Sequence, residues 1–247
     1  MSIMKWVVGL LGMQVSGLDT TISAQEANKI IDIINAARRD VEPRPTAMMK
    51  VEWDYPLQDA LDKYANLINK KWFFEKNQNW SRYNGEALMR MAPFNTSFVG
   101  YDHFIHDGCQ SSADGVSKIV YDRAVMQRHC FNYNVCNDSA PINPKGTING
   151  YESCNNIPSA LSSQHPCSWW WQYYPMIVYE NVTKLACVMT GVPTPSNPNK
   201  LRDDSFFCYY SKAAAQTTAK PYRKVSAGHA VCSECPPKSQ CKKLLCV

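Results

Sequence analysis

The sequence lacks three features that would each define a class of function. No stretch reaches the roughly 18 consecutive apolar residues of a transmembrane helix, so no integral contact with a membrane is expected. No run of five basic residues occurs, and the 26 Lys and Arg are spread along the chain against 21 Asp and Glu. That distribution is not typical of a nucleic-acid-binding protein. The signatures of α/β-hydrolases, zinc proteases and phosphate-binding loops are also absent.

What the chain does contain is cysteine, eleven residues of it in 247. Near the N-terminus, the positively charged Lys5 is followed by a mostly apolar stretch at 6–15 and by the small pair Ser16-Gly17. This layout predicts a secretory signal peptide over residues 1–17, although a buried first helix or strand is the alternative. In an oxidising compartment so many thiols would form disulfides.

Four N-x-[ST] triplets agree with secretion. They predict glycosylation at Asn79, Asn95, Asn137 and Asn181. A secreted, extracellular glycoprotein is therefore expected.

The last residues hold four cysteines in the pattern C-x2-C-x5-C-x4-C, at Cys232, Cys235, Cys241 and Cys246. Nearly this spacing occurs in zinc knuckles and in small modules held by two disulfides. Only the first pair has two intervening residues, and His229 lies outside the cluster, so the pattern lacks a histidine at a ligand position. Disulfides are the favoured interpretation and zinc the alternative.

Helices come first along the chain. Ser23 and Glu26 form a capping box, and apolar residues then recur every three or four positions until Pro43. A second amphipathic pattern runs from Leu57 to Ile68, and a third helix is expected near 115–128. Residues 130–168 are rich in turn formers and predict long loops.

Strands come last. Short apolar runs at Met176–Tyr179, Lys184–Thr190 and Ser205–Tyr210 predict an antiparallel meander. Residues 213–230 are polar and read as a linker before the cysteine-rich tail at 231–247. Helices followed by strands indicate an α+β fold.

Several stretches resemble the CAP superfamily of cysteine-rich secretory, antigen 5 and pathogenesis-related proteins, and most closely the venom allergen-like (activation-associated secreted) proteins of worms. They span residues 25–246 in the family's order. The stretches are Ile33-Ile34-Asn35-Ala36-Ala37-Arg38, Met49-Lys50-Val51-Glu52-Trp53-Asp54, Asn84-Gly85-Glu86, Val178-Tyr179 with Lys184-Leu185-Ala186-Cys187, Phe207-Cys208-Tyr209-Tyr210, and the tail.

The resemblance implies a three-layer α-β-α sandwich with a central antiparallel sheet, formed by a CAP domain at 22–212, plus a small disulfide-rich tail. It also implies three disulfides, Cys187–Cys208, Cys232–Cys241 and Cys235–Cys246. Five cysteines stay unassigned, so one is left over. They are Cys109, Cys130, Cys136, Cys154 and Cys167.

Family members carry a cleft with two histidines and two acidic residues, which binds zinc in some of them. In this chain Glu86 matches one acidic residue, but Lys76 and Tyr173 stand where the histidines should be. Asp122 lies one position before the aligned place of the other acidic residue, which Arg123 occupies. Such a degenerate cleft is not expected to hold a metal, and neither a cofactor nor enzyme activity is predicted.

Two other features have alternative interpretations. His103 and His106, flanked by Asp102 and Asp107, form either a metal-binding turn or a polar loop. Trp169, Trp170 and Trp171 either pack into the core or offer an aromatic surface to a partner, because consecutive rings in a strand point to opposite faces.

The predicted function is binding of an extracellular partner, with modulation of immunity as the outcome that the resemblance suggests. The alternative is a carrier of a sterol or fatty acid, in a groove lined by the apolar faces of the first and third helices. A metal-dependent hydrolase ranks last.

Overall fold

The computed structural model describes residues 21–75, 89, 91–94, 96–101, 116–117, 120–121, 124, 131–132, 135–136, 176–194, 197–212 and 221–247. The predicted signal peptide lies outside these ranges, as does much of the loop-rich middle of the chain. No helix in the described residues combines the length and the apolar character required to cross a membrane.

Helix α1 spans Ala24–Asp40 and begins as the sequence predicts. The hydroxyl oxygen of Ser23 accepts a hydrogen bond from the N–H of Glu26 at 3.2 Å, which caps the first turn. Ile30 and Ile34 are fully buried, so the three-and-four spacing does mark the face that packs into the core. The helix ends at Asp40, before the proline pair at 43 and 45.

Helix α2 spans Tyr55–Glu75. The carboxylate of Asp54 accepts a hydrogen bond from the N–H of Leu57 at 3.1 Å and so caps the helix. Leu61, Ala65 and Ile68 form its buried face. Farther along, residues 116, 117, 120, 121 and 124 are also helical, which agrees with the third predicted helix.

The main sheet has four strands in the order β1-β5-β6-β2. Its strands are β1 Glu52–Trp53, β2 Ser97–Tyr101, β5 Lys184–Thr194 and β6 Asn197–Tyr210. Two short hairpins complete the described strands, β3 Phe131–Asn132 with β4 Val135–Cys136, and β7 Cys241–Lys242 with β8 Leu245–Cys246.

The prediction of an antiparallel sheet is wrong at one edge. Strands β5 and β6 pair antiparallel, as do β6 and β2, but β1 pairs parallel with β5. A tight turn forces its two strands to be antiparallel, whereas β1 and β5 are separated by more than a hundred residues and carry no such constraint. The sheet is therefore mixed.

The prediction of a strand at Met176–Tyr179 is also wrong, because this stretch begins with a helical turn. Ile177 and Val178 are fully buried, which explains the apolar run. A short, continuously apolar stretch does not distinguish a buried strand from a buried helical turn.

Side chains alternate between the two faces of the sheet and enter two separate core clusters. Leu185 and Cys187 join the cluster that contains the buried face of α1, together with Val116, Val120 and Ala124. Ala186 and Val188 join the cluster that contains the buried face of α2. Each face of the sheet is thus covered by helix residues, and mixed α and β structure is established.

Candidate functional site: the docked cysteine-rich tail

The predicted cleft and aromatic surface lie outside the described residues. So do the histidine pair and three of the four predicted glycosylation sites. These residues are Lys76, Glu86, Asp122, Tyr173, His103, His106, Trp169, Trp170, Trp171, Asn79, Asn95 and Asn137. The fourth site, Asn181, is an exposed turn residue before β5, where a glycan has room.

The candidate surface that the structure does describe is built by the tail. Its cysteines form disulfides between Cys232 and Cys241 and between Cys235 and Cys246, as the resemblance implies. The sulfur atoms of Cys232, Cys235 and Cys246 do lie within 4.8 Å of one another, which is close enough to suggest a metal site. Metal binding needs thiolates, however, and sulfurs joined in disulfides offer none. The structure therefore favours disulfides over a zinc site in the tail.

A third disulfide, Cys187–Cys208, joins directly opposite residues of β5 and β6. Three disulfides indicate an extracellular protein, because reducing compartments keep thiols free.

The tail packs against the domain. Its backbone bonds to the segment before β1, where the N–H of Cys246 donates to the carbonyl oxygen of Met48 and that of Lys50 to the carbonyl of Cys246, both at 2.8 Å. Another hydrogen bond, of 3.1 Å, joins the N–H of Glu234 to the carbonyl of Thr46. These contacts place the tail along residues 46–50.

Apolar side chains anchor the tail as well. Leu245 is 2% exposed and Tyr222 is 1% exposed, and both belong to the same core cluster as α1. Tyr222 falls within the range predicted to be a linker. Pro221 and Tyr222 therefore pack as part of the domain, whereas most of the residues from 223 to 230 are exposed.

A chain of ion pairs crosses the junction between the tail and the domain. The Nε atom of Arg223 lies 3.1 Å from the carboxylate of Glu180, and its Nη1 atom lies 2.6 Å from that of Glu234. The other oxygen of Glu234 lies 3.7 Å from Nε2 of His229. Glu234, the only acidic residue of the tail, is thus already paired with a cation.

Beneath this junction Arg38 is completely buried in α1. Its guanidinium donates to five backbone carbonyl oxygens, those of Met49, Ile177, Tyr179, Glu180 and Val182, at 2.7–3.3 Å. Burial lowers the pKa of Arg38 to about 9, and the nearby Tyr210 and Glu180 oppose that shift. At neutral pH Arg38 is therefore charged, and it fixes the turn at 176–182 against the segment that receives the tail.

Sequence reasoning quoted Arg38 as part of a motif but assigned it no role. The signal was present, because Ile30, Ile34 and Arg38 follow at intervals of four on one face of α1. A cation that continues a buried apolar face must find hydrogen-bond acceptors in the interior.

The tip of the tail hairpin has an unusual backbone. Strands β7 and β8 are joined by Lys243 and Leu244, whose φ angles are 49° and 65°. Two positive values define the tight turn that suits a two-residue hairpin, usually made by Asn and Gly. Lys238, in the preceding turn, has a φ of 74°. A side chain in this region of backbone space costs roughly 1 kcal/mol relative to glycine.

Comparisons with known proteins agree with this fold. No model of a protein family matches the chain, and no curated protein matches it in sequence. Among solved structures, Na-ASP-1 is 15% identical with a TM-score of 0.51, over 95% of this chain and 50% of that protein. NaASP2, solved with Zn2+, is 14% identical with a TM-score of 0.51, over 93% of this chain and 98% of the other.

A third structure, hookworm platelet inhibitor, is 11% identical over 92% of each chain with a TM-score of 0.47. The chain spans half the length of Na-ASP-1. Na-ASP-1 and NaASP2 both have TM-scores above 0.5, and this similarity shows that the chain has the fold of the CAP superfamily. Both are venom allergen-like proteins, the group that the motifs of this sequence most resemble.

Proposed function

We propose that the protein is a secreted, non-enzymatic binding protein that engages an extracellular partner, with modulation of immunity as the outcome. One observation carries the proposal. The tail is shaped by two internal disulfides and held to the domain by backbone hydrogen bonds, an ion pair and the buried Leu245, yet it exposes Lys238, Lys242 and Lys243. A surface that is fixed in place loses little conformational entropy on binding, which favours recognition.

The fold provides a matching scaffold. We propose that the complete chain forms the three-layer α-β-α sandwich of the CAP superfamily, with α1 over one face of the sheet and α2 over the other. The two core clusters support this arrangement. The tail would then lie beside the β1 edge of the main sheet, where it contacts residues 46–50.

The lipid-carrier alternative gains no support from the described residues. The apolar faces that would line its groove are already packed together, with Ile30, Ile34, Val116, Val120 and Ala124 each 4% exposed or less. Lipid binding elsewhere in the chain stays a prediction.

The test is binding of the full chain, secreted from a eukaryotic host and fluorescently labelled, to the surface of intact mammalian cells. We expect saturable binding that unlabelled protein displaces. A variant carrying Cys235→Ser and Cys246→Ser removes one of the two bridges that fix the shape of the tail. It should bind at least fivefold more weakly, while the circular dichroism of the domain is retained. Non-saturable binding, or equal binding by this variant, would contradict the proposal.

A further inference from the structure

We propose that the exposed lysines of the tail form a binding surface for a sulfated polysaccharide; this rests on the proposed function and names its partner class. The surface, here called the lysine tip, consists of Lys242 and Lys243 at the hairpin and of Lys238 in the turn that leads into it. All three side chains are exposed.

The first argument is the distribution of charge. The chain carries a net charge of +5. Residues 221–247 contain five basic residues and one acidic residue, so this stretch alone carries +4. The rest of the chain, 21 basic against 20 acidic residues, is nearly neutral. The basic residues are spread along the sequence, but most of the excess of positive charge lies in residues 221–247, and the tail at 231–247 holds three lysines against one glutamate.

The second argument is that no acidic side chain among the described residues neutralises the lysine tip. Arg223 and Glu234 pair with each other, which removes the only acidic side chain of the tail. None of the ion pairs within the described part of the chain involves Lys238, Lys242 or Lys243. Their positive potential therefore extends into solvent, where it attracts polyanions.

The third argument is the backbone. Among the residues that the structure describes, four other than glycine have a positive φ, and Lys238 and Lys243 are two of them. Asparagine or glycine would fit these positions with less strain. A lysine at a position that the backbone disfavours is consistent with a role for its side chain.

The fourth argument is rigidity. Lys238 lies in a turn closed by a 3.0 Å hydrogen bond from the N–H of Ser239 to the carbonyl of Pro236. Lys242 and Lys243 follow Cys241, whose disulfide to Cys232 fixes the base of the hairpin. The buried Leu245 holds the returning strand. The cations are therefore presented from a fixed frame rather than from a mobile arm.

The composition of the tail distinguishes among polyanions. Residues 223–247 contain no aromatic residue, and Tyr222, which precedes them, is buried in the core. Proteins that hold single-stranded nucleic acids stack bases on exposed aromatic rings. Segments that enter a membrane interface use several Trp, Phe and Leu side chains, whereas the hairpin tip exposes a single leucine, Leu244. The lysine tip instead offers compact, strongly hydrated charges, which suit sulfate groups spaced along a polysaccharide. A sulfated polysaccharide is also a partner that an extracellular protein meets.

The test measures affinity for heparin, a defined sulfated polysaccharide, as a function of NaCl concentration. The full secreted chain is compared with the triple variant Lys238→Asn/Lys242→Gln/Lys243→Asn. The matched control, Lys63→Gln/Lys184→Gln/Lys212→Gln, removes the same charge from three exposed positions elsewhere. Circular dichroism checks that both variants fold.

We expect the triple variant to lose at least tenfold in affinity and the control less than threefold. For three released counterions per chain, the logarithm of the binding constant should fall with that of the salt concentration with a slope of about −2 to −3, by analogy with nucleic acids. Equal losses in both variants would mean that net charge alone attracts heparin, and the proposal would fail. It would also fail if desulfated heparin bound equally well, or if phosphatidylserine vesicles bound more tightly than heparin.

Cell binding separates this inference from the proposed function. If heparinase treatment and the triple variant both abolish saturable binding to cells, the two ideas stand together. Saturable binding that survives both treatments overturns the polysaccharide and leaves an extracellular partner in place. Heparin binding without saturable binding to cells would overturn the proposed function but not the lysine tip.

Discussion

Replacement of Arg38 tests the physical account of how this fold holds its tail-binding segment. The guanidinium connects α1 to two separate stretches of backbone, residue 49 on one side and residues 177–182 on the other. Arg38→Ala removes five hydrogen bonds and leaves their acceptors in a water-free interior.

The expected loss follows from two opposing contributions. A hydrogen bond to a charged group contributes roughly 1.5–3 kcal/mol, while burial of a charge costs several kcal/mol. Because removal of one partner of a buried, bonded charge costs about 3–5 kcal/mol, we expect Arg38→Ala to lower the free energy of unfolding by a similar amount. Arg38→Lys keeps the charge but not the planar donors, so its loss should be about half.

Urea unfolding followed by circular dichroism measures these differences. With a slope near 2–3 kcal/mol per molar urea, the midpoint of Arg38→Ala should fall by about 1–2 M. Arg39→Ala is the matched control, since Arg39 is the next residue of the same helix but is only half-buried; its loss should stay below about 1 kcal/mol. Equal midpoints for the two variants would refute the role given to Arg38.

Four further predictions concern the tail and the nearby glycan site. Leu245→Ala should lower the free energy of unfolding by about 2–4 kcal/mol and speed proteolysis of the tail, whereas Leu244→Ala, at a side chain 42% exposed, should change it by less than about 0.5 kcal/mol. A chelator should leave the thermal midpoint unchanged while a reductant lowers it, and the reverse would restore the zinc interpretation. Leu244→Gly should raise the free energy of unfolding by about 1 kcal/mol in urea, because glycine relieves the positive φ; a loss would contradict the turn geometry. Asn181→Gln should remove one glycan from the secreted protein, as intact mass would show; an unchanged mass would mean that the site is unused.

Local patterns were enough to place the regular elements. The spacing of Ile30 and Ile34 marked the buried face of α1, and Ser23 marked its start, because a helix must satisfy its first N–H groups close by in sequence. The apolar run from Lys184 likewise predicted β5, although the strand continues to Thr194. The cleft predicted around Glu86 falls outside the described residues, so it stays a prediction.

Local patterns failed where distant segments decide the outcome. The run at 176–179 forms a helical turn because its carbonyl groups serve Arg38, a partner 139 residues away at Ile177. The parallel pairing of β1 with β5 has the same origin, since neither strand is constrained by a short turn.

The sequence by itself determined the helices, two of the three predicted strands and a disulfide-rich tail, since these follow from neighbours within one or two turns. The tertiary structure alone decided that the tail is docked, because the burial of Leu245 and the pairing of Glu234 with Arg223 join residues to a distant surface. Within the described residues, it also decided which charged side chains have an ion-pair partner and which have none. Ion pairing depends on distances in space, so only the fold separates the exposed lysines from the cations that it has already neutralised.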